Sequence, residues 1–170
     1  IFFLIVLMFL FSINKTYCDE IKFEAQEILI KEDGNLIEAN NEARIQATNG
    51  IEIKSDKFAY DKIKSIVSVS GNVIIIDKTN NTKVTGDNFI YFKNDEKIVS
   101  EETVNINIDE NYFVETKKIE YLVKEKIIKS DLETSMKDRE GNSFSVSKFK
   151  FTVFDKIFNG ENLIFLDKNN

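Results

Sequence analysis

From Ile21 to Asp167, apolar and polar side chains alternate in short runs and do not recur every three or four positions. A period of two puts successive side chains on opposite faces of an extended chain. Each run therefore predicts a β-strand with one buried face. β-Branched and aromatic residues fill the runs, as a pleated, half-buried surface favours. Turn-forming clusters separate them: Asp33-Gly34-Asn35, Asn40-Asn41, Thr48-Asn49-Gly50, Asn80-Asn81, Asn94-Asp95 and Glu140-Gly141-Asn142. Tyr112 to Lys129 is charged enough to suit a helix, but the alternation of Val114, Thr116, Ile119, Tyr121 and Val123 favours strand.

The runs repeat. Asp56-Lys57-Phe58-Ala59-Tyr60 recurs as Asp87-Asn88-Phe89-Ile90-Tyr91, then as Lys117-Lys118-Ile119-Glu120-Tyr121 and Ser147-Lys148-Phe149-Lys150-Phe151. The closing aromatics are 31, 30 and 30 residues apart. A second motif, Gly71-Asn72-Val73-Ile74-Ile75-Ile76-Asp77, is echoed in runs that end at Asp109, Asp138 and Asp167. Ala25 to Ile30 and Ala43 to Ala47 form a degenerate first copy, which makes about five copies. One such copy cannot bury its apolar face alone, so the stacked array is the stable unit. The pairs predict an all-β chain, closed as a two-sheet jelly roll or wound as a β-solenoid, with unpaired strand edges at both ends.

Parity selects the inner face. Phe58, Tyr60, Val73, Ile75, Phe89, Tyr91, Val104, Ile106, Ile119, Tyr121, Phe149 and Phe151 are expected to point inward together. They would form an ordinary core or line an apolar groove. Val73-Ile74-Ile75-Ile76 and Leu163-Ile164-Phe165-Leu166 are apolar on both faces, which suits a central strand or a face covered by a partner.

The arrangement of Val69-Ser70-Gly71-Asn72-Val73-Ile74-Ile75 followed by Val84-Thr85-Gly86-Asp87-Asn88-Phe89-Ile90-Tyr91 resembles the OstA-like family of lipopolysaccharide transport. That family includes LptA, LptC and the N-terminal part of the outer-membrane assembly protein LptD. The likeness extends over about residues 21 to 167. Ile127 to Thr134, followed by Asp138 to Phe144, is most similar to the later repeats of LptD, with an LptA-like chain as the other assignment. The resemblance implies a repetitive antiparallel β-jellyroll, with two sheets around an apolar groove. It implies that lipid A acyl chains of lipopolysaccharide travel inside the groove and that other Lpt jellyrolls dock at the strand edges. An LptD-like chain would also meet an outer-membrane barrel. Localisation would be the periplasm, or the periplasmic face of the outer membrane, of a Gram-negative bacterium. The rival reading is a structural β-solenoid or adhesin segment with no lipid groove.

The N-terminal run Ile1 to Phe11 is unbroken and apolar, but shorter than the roughly 20 residues that span a bilayer. It reads as the apolar part of a signal peptide over residues 1–18, cleaved after Cys18, ahead of a domain over 19–170. Composition then removes whole classes of chemistry. The chain has no His and one Cys, which excludes histidine-dependent triads and Cys-rich zinc sites. A net charge of -6 makes nucleic acid a poor partner. Without a Walker-type phosphate loop, any driving force for transport must come from elsewhere. No cofactor and no catalytic activity are expected. Asp77, Asp109, Asp138 and Asp167 close equivalent strands and read as turn residues in preference to a calcium ladder. Glu101-Glu102 and Asp109-Glu110 carry no sign of an acid–base pair. Lys117-Lys118 and Lys124-Glu125-Lys126 could meet lipid phosphates, but mixed charge of this kind more often coats a solvated strand face.

Overall fold

The computed structural model describes residues 22–46 and 50–166; the N-terminal run, Cys18 and Asp167 lie outside them. Four long strands carry the N-terminal half: β3 (Leu36–Gln46), β4 (Ile51–Asp61), β5 (Ile66–Asp77) and β6 (Thr82–Phe92). Two short ones precede them, β1 (Lys22–Glu24) and β2 (Glu27–Lys31), with a 3-10 turn at Glu32–Gly34. Ten short strands follow: β7 (Lys97–Ser100), β8 (Val104–Ile108), β9 (Tyr112–Thr116), β10 (Ile119–Leu122) and β11 (Ile127–Ser130), then β12 (Thr134–Asp138), β13 (Ser143–Val146), β14 (Lys148–Thr152), β15 (Ile157–Glu161) and β16 (Ile164–Leu166). The ambiguous stretch from Tyr112 to Lys129 holds no helix: it is β9, β10 and the start of β11, with Val123 in the turn between the last two. Every pairing between the described strands is antiparallel, so the parallel coil-on-coil stacking of a solenoid is not how these copies meet.

The strands form one continuous ribbon folded lengthwise into two facing layers. The fold line crosses the long strands where their register shifts, at Asn40/Ala43, Lys54/Lys57 and Ser70/Val73. Asn41, Glu42, Gly71 and Asn72 have positive φ there, which turns the chain from one layer to the other. Gly71 has a second reason to be glycine: a Cβ would lie 2.5 Å from Asp56 Oδ2. The Gly71-Asn72 pair of the sequence motif is thus the corner within one bent strand. Beyond β6 the chain breaks at each crossing, for example at Glu101 to Thr103 and at Asp131 to Glu133, giving two short strands where one long strand ran before.

Tracing the registers gives each layer ten ranks. The first layer runs β2, β3 (36–40), β4 (57–61), β5 (66–70), β6 (88–92), β7, β10, β11, β14, β15. The second runs β1, β3 (43–46), β4 (51–54), β5 (73–77), β6 (82–86), β8, β9, β12, β13, β16. Equal ranks connect at the fold line. Hairpin tips line the opposite side.

A backbone ladder locks the thirty-residue copies together along the first layer's tips. Lys62 N donates to Asn35 O (2.9 Å), Lys93 N to Ser65 O (3.0 Å), Val123 N to Glu96 O (2.9 Å) and Val153 N to Lys126 O (2.8 Å). Ser65, Glu96 and Lys126 all hold positive φ, which aims each carbonyl at the next tip. The repeat period seen in the sequence is therefore the spacing of stacked tips. Between the layers lies one core, running from Ala39 and Ile45 through Val67, Ile75, Val104 and Ile128 to Phe151 and Val153.

Candidate functional site: the space between the two layers

All twelve inward candidates face this space. Eleven of them (Phe58, Val73, Ile75, Phe89, Tyr91, Val104, Ile106, Ile119, Tyr121, Phe149 and Phe151) are at most 7% exposed, and Tyr60 is half-buried. Their own side chains fill the interior. Parity also resolves the run that is apolar on both faces: Val73 and Ile75 are buried inward, while Ile74 and Ile76 lie half-buried on the outer face.

At its two ends the interior reaches the surface. On the first rank, Ile28 and Ile30 have inward parity, opposite Ala39 and Ile37, and are 46% and 68% exposed. Phe23 spans the layers there, stacking on Phe58 at 4.8 Å and tilting against Tyr60 at 5.5 Å. On the last rank, Phe158 stacks on Phe149 (5.4 Å), and Phe165 tilts against Phe144 (5.0 Å) while staying half-exposed. Gly160 lets the layers approach here, since a Cβ would meet Val146 Cγ1 at 2.6 Å.

The two long sides of the interior are closed by different chemistry. Along the fold line the buried polar groups are hydroxyls. Thr134 Oγ1 donates to Thr116 Oγ1 (3.0 Å), Thr116 Oγ1 and Ser130 Oγ share a bond of 3.1 Å, and Ser100 and Ser130 each accept a backbone N–H two residues on. Along the tips the closure is ionic. Asp77, 1% exposed at the end of β5, accepts a hydrogen bond from Tyr121 Oη of the opposite layer (2.6 Å) and an ion pair from Lys126 Nζ (3.3 Å). It also holds its own turn by accepting from Thr79 N, Asn80 N and Asn80 Nδ2. One repeat on, Asp109 pairs with Lys156. Both contacts cross the layers with the same offset. Asp77 of rank four meets Tyr121 of rank seven, and Asp109, at the tip after rank six, meets the tip after rank nine. Three strands correspond to about 14 Å, which is the accumulated effect of sheet twist on two layers that are aligned at the fold line.

Electrostatics follow from this geometry. Burial pushes the Asp77 carboxyl up, but the Tyr121 hydroxyl, the Asn80 amide and the Lys126 charge outweigh it and hold its pKa below the usual 3.8. Burial, together with the hydrogen bond and charge of Asp77, drives the Tyr121 phenol far above its ordinary range. Asp138 is a turn residue as expected, accepting from Asn142 N (2.9 Å) and Asn142 Nδ2 (2.7 Å). The role of Asp77 and Asp109 as cross-layer partners escaped the sequence reading. The available signal was a lysine at the same repeat position, Lys126 and then Lys156, each 47 to 49 residues after its aspartate.

Outer faces hold charge that is mostly neutralised in place. A trough of about 680 Å³ on the first layer contains Lys97, Lys118, Lys129, Lys148 and Lys150. Glu120 bridges Lys97 and Lys129, Lys118 meets Glu101 and Asp131, and Lys148 meets Glu161. On the second layer Glu52, 6% exposed, gathers Arg44, Lys54 and Lys78. The hydrogen bond and charge of Lys78 act first in holding Glu52 below its usual carboxylate range. Glu102 accepts from Asn88 Nδ2 (2.9 Å). Among the described residues no group of three or more metal-ligating side chains comes together, and no helix is long and apolar enough to cross a membrane.

No family model and no curated protein matches the chain. Among the solved structures, several chains are similar to it, two of them as follows. One is LptH of Pseudomonas aeruginosa, described as the LptA homologous periplasmic component of a lipopolysaccharide transport device. It is 10% identical, with 88% of this chain and 96% of that one covered and a TM-score of 0.33. The other is the TCP10 domain of Danio rerio CPAP with a STIL peptide, 8% identical, covering 89% and 96%, with a TM-score of 0.17. At these TM-scores neither likeness carries weight in the assignment. What the chain's own geometry establishes is a repetitive, antiparallel, two-layered all-β roll with an apolar interior.

Proposed function

We propose that the chain is an exported lipopolysaccharide-transport domain that shields acyl chains between its two layers, LptD-like or LptA-like, without catalytic activity. The observation that carries this reading is an apolar interior continuous along ten ranks and reaching the surface at both ends, at Ile28 and Ile30 and at Phe165. The motif resemblance around Gly71 to Tyr91 adds to it. Moving acyl chains through water costs about 0.8 kcal/mol per exposed CH2, so passive shielding is a sufficient role. The two apolar ends suit docking of further jellyrolls, or of an outer-membrane barrel, by strand addition. The periplasm is the compartment where such a bridge would work.

Because the interior is filled in this state, the layers must part for lipid to enter. That same filling favours the rival, a structural roll that carries no lipid. A photo-cross-linking residue at Phe89, with exposed Asn94 as control, separates the two. With purified lipopolysaccharide the transport reading expects an adduct at 89 and none at 94. A folded protein with no adduct at 89 leaves the structural roll standing.

A further inference from the structure

We infer that the Asp77–Tyr121–Lys126 cluster, seconded by Asp109–Lys156, is a latch that sets how readily the tip side of the roll parts to admit an acyl chain. This rests on the lipid reading above and deepens it by naming what controls entry. The two long sides of the roll differ in what holds them. The fold line is covalent at every rank, because each strand or strand pair passes through it. It cannot open without unfolding. Among the described residues no chain crosses the tip side, so side chains hold it shut there. Asp77 and Asp109 make polar bonds across it, from the second layer to the first.

Burial makes the Asp77 bond selective. Asp77 and Tyr121 are each 1% exposed, so parting the tips separates a charged acceptor from a phenol in an apolar setting. Water entering at the same moment replaces the lost partners, and so the latch can release and reform without leaving a charge stranded. Lys126 is itself on a tip, and its carbonyl also accepts from Val153 N in the backbone ladder. Release of Asp77 is thus coupled to the next tip. The neighbouring inward residues Ile75 and Ile119 become accessible once Tyr121 swings away.

The test compares Tyr121→Phe with Thr134→Val, a fold-line variant that loses a buried hydroxyl bond of similar kind. Residue-resolved hydrogen exchange without lipid reads opening, and photo-cross-linking from position 89 with lipopolysaccharide reads admission. Tyr121→Phe is expected to speed exchange at the tip-side ends of β5 and β10 and to raise the adduct rate about fivefold, the worth of one hydrogen bond. Thr134→Val is expected to raise neither. Equal rates in all three proteins, with adducts present, would overturn the latch and leave the lipid reading intact. Faster exchange in Tyr121→Phe with no adduct in any protein would overturn the lipid reading and leave the latch as a purely structural bolt.

Discussion

Tyr121 and Asp77 lie 44 residues apart in sequence and meet across the two layers, with Tyr121 Oη donating to Asp77 Oδ2 at 2.6 Å. The bond couples rank seven of one layer to rank four of the other, so it reports the twist of the whole roll. Removing the donor by Tyr121→Phe leaves a buried carboxylate one partner short. A loss of about 1–3 kcal/mol is expected. At about 2–4 °C per kcal/mol for a domain of this size, thermal unfolding should shift down by several degrees. A double-mutant cycle with Asp77→Asn should give a coupling energy above 0.5 kcal/mol, the level that distinguishes contacting groups from independent sites.

Acid should weaken the same contact. The Asp77 pKa is depressed in the fold, so its contribution is fully present above the unfolded value near 3.8 and is lost as pH falls through the folded value. The Tyr121 pKa is raised, so its contribution holds below 10.0 and fades only as pH rises through its folded value. The stability difference between the natural chain and Asp77→Asn should therefore be flat from about pH 4 to pH 10 and shrink below pH 3.8. Taking the difference removes the other depressed carboxylates, among them Glu52, Asp61, Glu120 and Asp138.

Gly160 lets the two layers come together at the C-terminal end. Gly160→Val should destabilise the fold by about 1–3 kcal/mol through overpacking against Val146, and Val146→Ala should recover part of that loss. If the two substitutions proved additive in chemical denaturation, the layers would not touch there.

Ser65 holds a φ of 56° to present its carbonyl to Lys93 N. Ser65→Gly relieves the left-handed conformation and should stabilise by about 0.5–1 kcal/mol, whereas Ser65→Val should destabilise. Thermal melts of the two variants should move in opposite directions.

Local signals carried much of this architecture. Alternation at Phe58 and Tyr60, or at Phe149 and Phe151, sufficed to place an inward face, because side-chain direction in a strand depends only on parity. The period between Tyr60, Tyr91, Tyr121 and Phe151 became the spacing of the turn ladder. Other features were not legible. Gly71-Asn72 looked like the start of a strand and is the corner of one, since a bulge and a turn use the same residues. Asp77 looked like a turn former, and it is one, but its second task depends on a three-strand offset. Twist accumulates over many residues, and no local pattern encodes it. Whether inward side chains pack on each other or against lipid is likewise a matter of layer separation, on which parity is silent.

On the proposed function, acyl chains occupy the space between the layers. Isoleucine methyl NMR with a spin-labelled fatty acid reads this directly, because Ile75 and Ile76 are neighbours in β5 that face opposite ways. Lipid between the layers should broaden the Ile75 and Ile106 methyls more strongly than those of Ile74 and Ile76. Broadening of Ile74 and Ile76 with Ile75 and Ile106 untouched would place the lipid on the outer face and contradict it.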